Sequence, residues 1–205
     1  TDLFRDLQRV TYRNETATPW DWDELVARLA AAPGRQALCV VNTRKHAREV
    51  WERLRAKVAE AHGADAAAGV RHLSSALCAE HRTAVLGTRD DPRPGTVFRR
   101  LRDGRPCWLV STQVIECGVD VSFPRAYRAA GPLDSIVQVG GRVNRNGELP
   151  GRGEVVVFRP AEDVLPPGIY RTATAEAVTR LGELDPDTLA TDPTVFAAYF
   201  AALHN

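Results

Sequence analysis

Three short apolar runs constrain the fold of this chain of 205 residues more than any other feature. They are QALCVVN at 36–42, PCWLVST at 106–112 and EVVVF at 154–158. Continuous apolar runs of this length are typical of strands that are covered on both faces, as in parallel sheets. Weaker runs predict further strands at 7–14, 70–75 and 126–130.

Helical patterns alternate with these strands and give the fold class. The predicted helices cover 21–32, 43–62, a stretch from about 79, 96–101, 135–139, 170–184 and 193–204. We expect Thr18–Asp21 to form a turn and cap before the first helix. The alternation predicts an α/β domain, a mostly parallel sheet flanked by helices on both faces, with short C-terminal helices. We expect one domain over 1–160 and a helical extension packed on it over 161–205.

The composition limits where the protein acts and what it binds. The formal net charge is +1, so any nucleic-acid binding has to be local. Four cysteines at 39, 78, 107 and 117 form no CxxC pair, so we expect reduced, buried thiols in a cytoplasmic protein, with Cys117 a small packing residue, and no metal site. The sequence shows no apolar run long enough to span a membrane and no signal peptide. The absence of methionine predicts a domain from a longer protein.

Polar residues follow three of the predicted strands at their carboxyl ends. They are Asn42-Thr43, Ser74-Ser75 and Ser111-Thr112. Ligands of parallel sheets bind at these strand ends, and small hydroxyls there suit phosphate oxygens. Since every nucleotide carries the same phosphate, such a row predicts a track for a nucleic-acid strand. Helix capping, for example by Thr43, is the alternative explanation.

A glycine- and arginine-rich stretch predicts a phosphate clamp. Arg142 and Arg145 lie three residues apart, so they point roughly the same way, and Gln138 precedes them. Gly140-Gly141 allows a close backbone approach, and Asp120 suits a ribose hydroxyl or an arginine partner. A solvated basic turn is the alternative. The chain contains no GxxxxGK[ST] motif to cradle a β-phosphate, so it carries only half of a nucleotide site.

Several segments resemble known helicase motifs. ALCVVNTRKHAREV, VSTQVIECGVD and QVGGRVNRNG resemble motifs IV, V and VI on the second RecA-like domain of superfamily 2 helicases. HLSSALCAEHR and FPRAYRAAGPLDSIVQVGGRVNRNG resemble the CRISPR-associated helicase–nuclease of type I interference complexes. The resemblance runs from about Phe4 to the end, although Val139 stands where many helicases have arginine.

The resemblance implies a role for each motif residue. On the nucleotide side, Gln138 approaches the γ-phosphate, Arg142 and Arg145 act in trans with Arg145 as the finger, and Gly118 and Asp120 lie near the ribose or couple to the arginines. On the DNA side, the implied phosphate contacts are Asn42, Thr43 and Thr112, with weaker candidates in His72, Ser74 and Ser111. Gln113 and Glu116 are implied to couple DNA to nucleotide.

The function implied is the second motor domain of an ATP-dependent DNA helicase or translocase in CRISPR type I interference, an antiviral defence. ATP would bind with Mg²⁺ that is held mainly by the first RecA-like domain. The implied partners are single-stranded DNA, the first RecA-like and nuclease domains of the parent chain, and the CRISPR surveillance complex. Two alternatives remain open: another superfamily 2 ATPase, such as an RNA helicase or a restriction translocase, or a non-catalytic helicase half that binds nucleic acid.

Overall fold

Six strands form one sheet in which every pair of neighbours is parallel, in the order β1-β6-β5-β2-β4-β3. The computed structural model describes residues 9–88, 90, 93–116, 118–162, 164–184 and 188–204. The strands are β1 Val10–Trp20, β2 Gln36–Val40, β3 Val70–Leu73, β4 Cys107–Ser111, β5 Arg125–Ala129 and β6 Gly153–Pro160. The predicted parallel α/β fold is confirmed.

Helices connect the strands, and the first two begin at the capping residues that the sequence indicates. The helices are α1 Trp22–Ala30, α2 Arg44–Ala67, α3 Ala79–Leu86, α4 Val97–Arg102, α5 Leu133–Gly140, α6 Ile169–Glu183, α7 Thr188–Thr191 and α8 Pro193–His204. Asp21 caps α1 by accepting from the Glu24 N–H at 2.8 Å. Thr43 caps α2 by accepting from the His46 N–H at 3.1 Å, and α2 kinks at Gly63, where φ is 83°.

Alternate residues of the central strands pack into two cores, one on each face of the sheet. In β4, Trp108 and Val110 join the core that α1 and α2 cover. Cys107 and Leu109 join the opposite core, which includes Ile136 of α5 and residues of α6 and α8. Helices therefore cover both faces, and the C-terminal helices share a core with the sheet.

The end of β1 corrects the prediction of a turn over Thr18–Asp21. Residues through Trp20 continue the strand and pair with β6, with a register irregularity between Glu15 and Pro19. A proline is tolerated there because β1 lies at the edge of the sheet and is irregular at that point. The single turn of α7 was also not predicted.

The described cysteines differ in how deeply they are buried. Cys39 and Cys107 are buried, and burial raises the pKa of each thiol to about 12. Cys78 is exposed, so the prediction that it is buried is wrong, because it precedes α3 on the surface. The prediction for Cys117 lies outside the described residues. Within the described part of the chain, no helix is both long and apolar enough to cross a membrane.

Candidate nucleotide and nucleic-acid site

The loops after β2, β4 and β3 lie side by side because these strands are neighbours in the sheet. Val41 N donates to Ser111 O at 3.0 Å, and Thr112 N donates to Leu73 O at 3.1 Å. Gln113 Nε2 donates to Asn42 O at 3.3 Å. The structure thus brings the three predicted polar pairs to one edge.

Three hydroxyls in this row keep hydrogen-bonding capacity for a ligand. Thr43 Oγ1 accepts the cap bond from His46 but still carries its own proton. Within the described part of the chain, Thr112 Oγ1 has no hydrogen bond to a protein group, and Ser74 Oγ is buried without one. A hydroxyl without a protein partner can donate to a phosphate oxygen. Capping and phosphate binding are therefore compatible at Thr43.

Two residues predicted to contact DNA use their side chains inside the protein. Ser111 is fully buried and its hydroxyl donates to Thr112 O at 2.8 Å. Asn42 Nδ2 donates to Ala130 O at 2.7 Å, and Asn42 Oδ1 accepts from Arg128 and Tyr170. Both side chains bind protein partners in this structure, and their predicted DNA contacts stay predictions.

A buried guanidinium organises the interior below this edge. Arg128 of β5 is fully buried, and its nitrogens donate to Asn42 Oδ1 at 2.7 Å, Ser135 Oγ at 2.7 Å and Tyr170 Oη at 3.2 Å. Glu116 Oε1 lies 3.4 Å from Arg128 Nη2. A buried charge requires this kind of pairing, since its desolvation is costly.

Glu116 is held in place from two sides. Ser135 Oγ donates to Glu116 Oε1 at 2.6 Å, beside the Arg128 guanidinium. Burial raises the pKa of Glu116, while Arg128 and the Ser135 hydrogen bond act in the opposite direction. The predicted coupling residue Glu116 therefore connects the loop after β4 to α5.

Sequence reasoning missed Arg128, Ser135 and Tyr170. A signal existed for Arg128, because an arginine within AYRAA, a strand expected to be buried, has to find a partner. No signal pointed to Tyr170, which lies 42 residues from Arg128 on α6. Its position depends on how the C-terminal helices pack.

Arg142 and Arg145 both reach the segment after β4, but only Arg145 is exposed. Arg142 is buried, and its Nε and Nη2 donate to Ile115 O at 3.1 Å and Glu116 O at 2.7 Å. Arg145 Nε lies 2.6 Å from Asp120 Oδ1. In this structure the Arg142 guanidinium binds carbonyls and holds the loop after β4, whereas Arg145 is exposed, and the phosphate clamp of the two arginines stays a prediction.

Three residues predicted for the nucleotide side are accessible to a ligand. Gln138 is exposed on α5, Gly118 is exposed with φ of 72°, and the Asp120 side chain is 42% exposed. A cavity of about 180 Å³ opens beside the carboxylate. Its lining residues are Phe98, Leu101, Arg102, Asp120, Ser122, Asn146 and Glu148.

Gly140 serves packing rather than a phosphate approach. It is buried, and a Cβ at this position would overlap the Tyr12 hydroxyl of β1. Tyr12 is itself buried, which raises its pKa to about 12. The close approach that the sequence predicted for Gly140 is made by a side chain of the protein. This corrects the ligand proposed for that glycine.

A parallel sheet with helices on both faces and polar residues at its carboxyl edge is typical of a RecA-like domain. Residues 33–148 match the family described as CRISPR-associated nuclease/helicase Cas3, C-terminal. This match covers more than half of the chain, so the chain belongs to that family. It is the C-terminal RecA-like domain of a Cas3 helicase.

The chain matches two relatives over only part of their length. The chain is 58% identical to the CRISPR-associated nuclease/helicase Cas3 of Haloferax volcanii over 59 residues, which cover 28% of this chain and 6% of that protein. It is 26% identical to the CRISPR-associated helicase Cas3 of Thermoproteus tenax over 151 residues, which cover 72% of this chain and 22% of that protein. The chain thus spans less than a quarter of either relative.

Two solved structures share the fold at low identity. The crystal structure of T. fusca Cas3-AMPPNP has a TM-score of 0.60 and 16% identity, covering 96% of this chain and 26% of that chain. The Mycobacterium smegmatis helicase Lhr bound to ssDNA and AMP-PNP has a TM-score of 0.54 and 18% identity, covering 86% of this chain and 22% of that chain.

Proposed function

We propose that this chain is the second motor domain of an ATP-dependent DNA helicase in CRISPR type I interference. It completes an ATP site and grips single-stranded DNA. Its partners are the first RecA-like domain, a nuclease domain and the CRISPR surveillance complex. The observation that carries the proposal is the exposed Arg145–Asp120 pair in a chain that also carries a row of strand-end hydroxyls. Family membership supports it, as do the AMPPNP and ssDNA complexes of proteins with this fold.

On the nucleotide side, Arg145 acts on ATP bound by the first RecA-like domain. In this structure its guanidinium lies against Asp120, and both side chains are 42% exposed. A γ-phosphate competes with Asp120 for the guanidinium because arginine binds phosphate through charge-assisted hydrogen bonds. Asp120 is then able to accept from a ribose hydroxyl. Gln138 approaches the same phosphate from α5.

The Mg²⁺ ion that accompanies ATP requires oxygen ligands. Within the described part of the chain, His, Cys, Asp and Glu side chains do not form a group of three or more that could hold a metal ion. Arginine and hydroxyl groups suit phosphate, whereas Mg²⁺ prefers carboxylate and other oxygen ligands. We therefore assign the magnesium of the bound ATP to the first RecA-like domain.

On the DNA side, Thr43 and Thr112 donate to phosphates along the carboxyl edge of the sheet, whereas the buried Ser74 Oγ is closed to a phosphate in this structure. These contacts carry no base information, so the domain grips any sequence. ATP binding closes the cleft between the two RecA-like domains, and hydrolysis opens it. As the cleft changes width, Thr112 and Thr43 release and regain phosphates, which moves the strand.

The first test replaces the proposed finger. We expect Arg145→Ala in the complete natural protein to lower ssDNA-stimulated ATP hydrolysis by about 10³-fold or more. The matched control is Arg152→Ala, an exposed arginine seven residues further on, which should keep the parental rate. A rate for Arg145→Ala within about threefold of the parent would reject the finger role. Stimulation by RNA but not by DNA would instead identify an RNA helicase.

A further inference from the structure

The hydroxyl of Tyr170 is a junction between loops that are far apart in sequence. It donates to Asn42 Oδ1 at 2.9 Å and accepts from Gln113 Nε2 at 3.1 Å and Arg128 Nη2 at 3.2 Å. A phenol has one donor and two acceptor positions, so this arrangement uses its whole capacity. Tyr170 lies near the start of α6, outside the residues that match the family.

Two of these bonds lead to the DNA side of the site. Asn42 immediately precedes Thr43, and Gln113 immediately follows Thr112. Gln113 Nε2 also donates to Asn42 O at 3.3 Å, so the two loops are joined to each other as well as to Tyr170. Any movement of Thr43 relative to Thr112 therefore has to rearrange the bonds at the Tyr170 hydroxyl.

The third bond leads to the nucleotide side. Arg128 Nη2, which donates to Tyr170 Oη, also donates to Ser135 Oγ at 2.7 Å. Ser135 lies three residues before Gln138 on α5. Ser135 also donates to Glu116, whose backbone oxygen accepts from Arg142 at 2.7 Å. The same guanidinium therefore contacts the helix that carries Gln138 and the loop that Arg142 fixes.

Gly131 leaves room for the Arg128 guanidinium. A Cβ at Gly131 would lie 2.6 Å from Arg128 Nη2 and 3.1 Å from Tyr170 Oη. Only glycine fits without displacing the Arg128–Tyr170 contact. Because a buried polar network is costly when a partner is lost, it favours a few discrete arrangements rather than a continuum.

We propose that Tyr170, together with Arg128, is a positioning residue that couples the DNA-contacting loops to α5. The C-terminal helix α6 thereby takes part in the motor's response to DNA as well as in packing. DNA phosphates bound at Thr43 and Thr112 shift Asn42 and Gln113. The Tyr170 hydroxyl and Arg128 pass that shift to Ser135, Glu116 and the nucleotide-facing residues. This inference rests on the proposed helicase function.

The experiment removes one oxygen atom. We expect Tyr170→Phe in the complete natural protein to lower the ratio of ATPase rate with saturating ssDNA to the rate without DNA by about 3–10-fold. The rate without DNA should stay within about twofold of the parent, because Tyr170 touches neither Gln138 nor Arg145 in this structure. Thermal unfolding is measured in parallel.

Tyr199→Phe is the matched control. Tyr199 is fully buried on α8, and its hydroxyl donates to Ala173 O at 3.2 Å and accepts from Leu133 N at 3.3 Å. This variant also loses a phenolic oxygen from the C-terminal helices, but neither hydrogen bond of that oxygen reaches the loops after β2 and β4. We expect the Tyr199→Phe protein to keep the parental stimulation ratio even where its unfolding temperature falls.

Two results would overturn the coupling role. One is a stimulation ratio for Tyr170→Phe within about twofold of the parent. The other is an equal loss of the ratio in both tyrosine variants with equal loss of unfolding temperature, which would indicate loosened packing. Arg145→Ala separates this failure from a failure of the proposed function. If Arg145→Ala abolishes hydrolysis while Tyr170→Phe keeps the ratio, only the coupling role is rejected.

Discussion

Burial decides what each arginine of the site does. The Arg145–Asp120 pair is 42% exposed on both sides, and such pairs contribute about 0–1 kcal/mol to stability. A ligand can therefore break it at little cost. Arg128 is fully buried, and removing one partner from a buried pair typically costs about 3–5 kcal/mol. Arg128 is thus suited to fix loops, whereas Arg145 is suited to exchange partners.

His72 gives the fold a pH dependence. Its Nε2 is buried without a hydrogen bond to a described residue, and burial, followed by the charge of Arg48, lowers the pKa of His72 below 6.5. Between the lowered value and 6.5 the unfolded chain binds more protons than the folded chain. We therefore expect the contribution of His72 to the free energy of unfolding to be fully present above pH 6.5 and to be lost as the pH falls below that value.

Urea unfolding of the parent and of His72→Gln, from pH 7.5 down to about 5, tests this expectation. The parent should lose stability relative to the variant only below about pH 6.5. His62→Gln, which changes an exposed histidine on α2, should follow the parent. A constant difference between parent and His72→Gln over the whole range would contradict the expected role of His72.

At the scale of elements, the sequence predicted what local pattern controls. β2 to β6 begin and end within two residues of the predicted runs, because continuous apolar runs identify strands buried on both faces. The strand-end row followed from the same pattern, since parallel strands end at one edge. The end of β1 could not be predicted, because Pro19 and Trp20 join the strand only through pairing with β6.

Side-chain destinations inside the site depended on tertiary packing. Arg142 and Arg145 are equally plausible phosphate ligands by spacing, but α5 ends at Gly140 and the following turn buries one of them. The Tyr170 junction has no local pattern at all. Motif spacing therefore predicts the candidate site, while the buried partners of its residues came only from the structure.

Gly140 allows α5 to pack closely against Tyr12 of β1, and adding a methyl group at Gly140 tests that contact. A Cβ would overlap the Tyr12 hydroxyl in a buried position, so we expect Gly140→Ala to destabilise the fold by about 1–3 kcal/mol. The control is Gly151→Ala, where a Cβ meets nothing within 4 Å. Urea unfolding should separate the two variants, and parental stability for Gly140→Ala would show that Tyr12 yields without cost.

On the scale of the whole molecule, the chain offers ligand groups on one end of the sheet but only part of what ATP requires. In the proposed function, Arg145 and Gln138 bind the γ-phosphate and Asp120 accepts from the ribose. The sequence has no GxxxxGK[ST] loop to cradle a β-phosphate. Phosphoryl transfer depends on positioning by both halves of such a site.

A polypeptide of these 205 residues alone should therefore bind ATP weakly and hydrolyse none. It should still bind single-stranded DNA, weakly, because the hydroxyl row belongs to this domain. Neutral hydroxyls release no counterions, so contacts from this row alone predict a slope of log K against log salt shallower than about −0.7. Anisotropy titrations of a labelled oligonucleotide at several salt concentrations measure the slope, and a phosphate-release assay measures turnover. The complete natural protein serves as the positive control for hydrolysis. ATP turnover by the 205-residue polypeptide alone would contradict the assignment of half a site to this chain, whereas a slope of about −1.4 or steeper would show that Lys or Arg side chains, rather than the hydroxyl row, carry the DNA contacts.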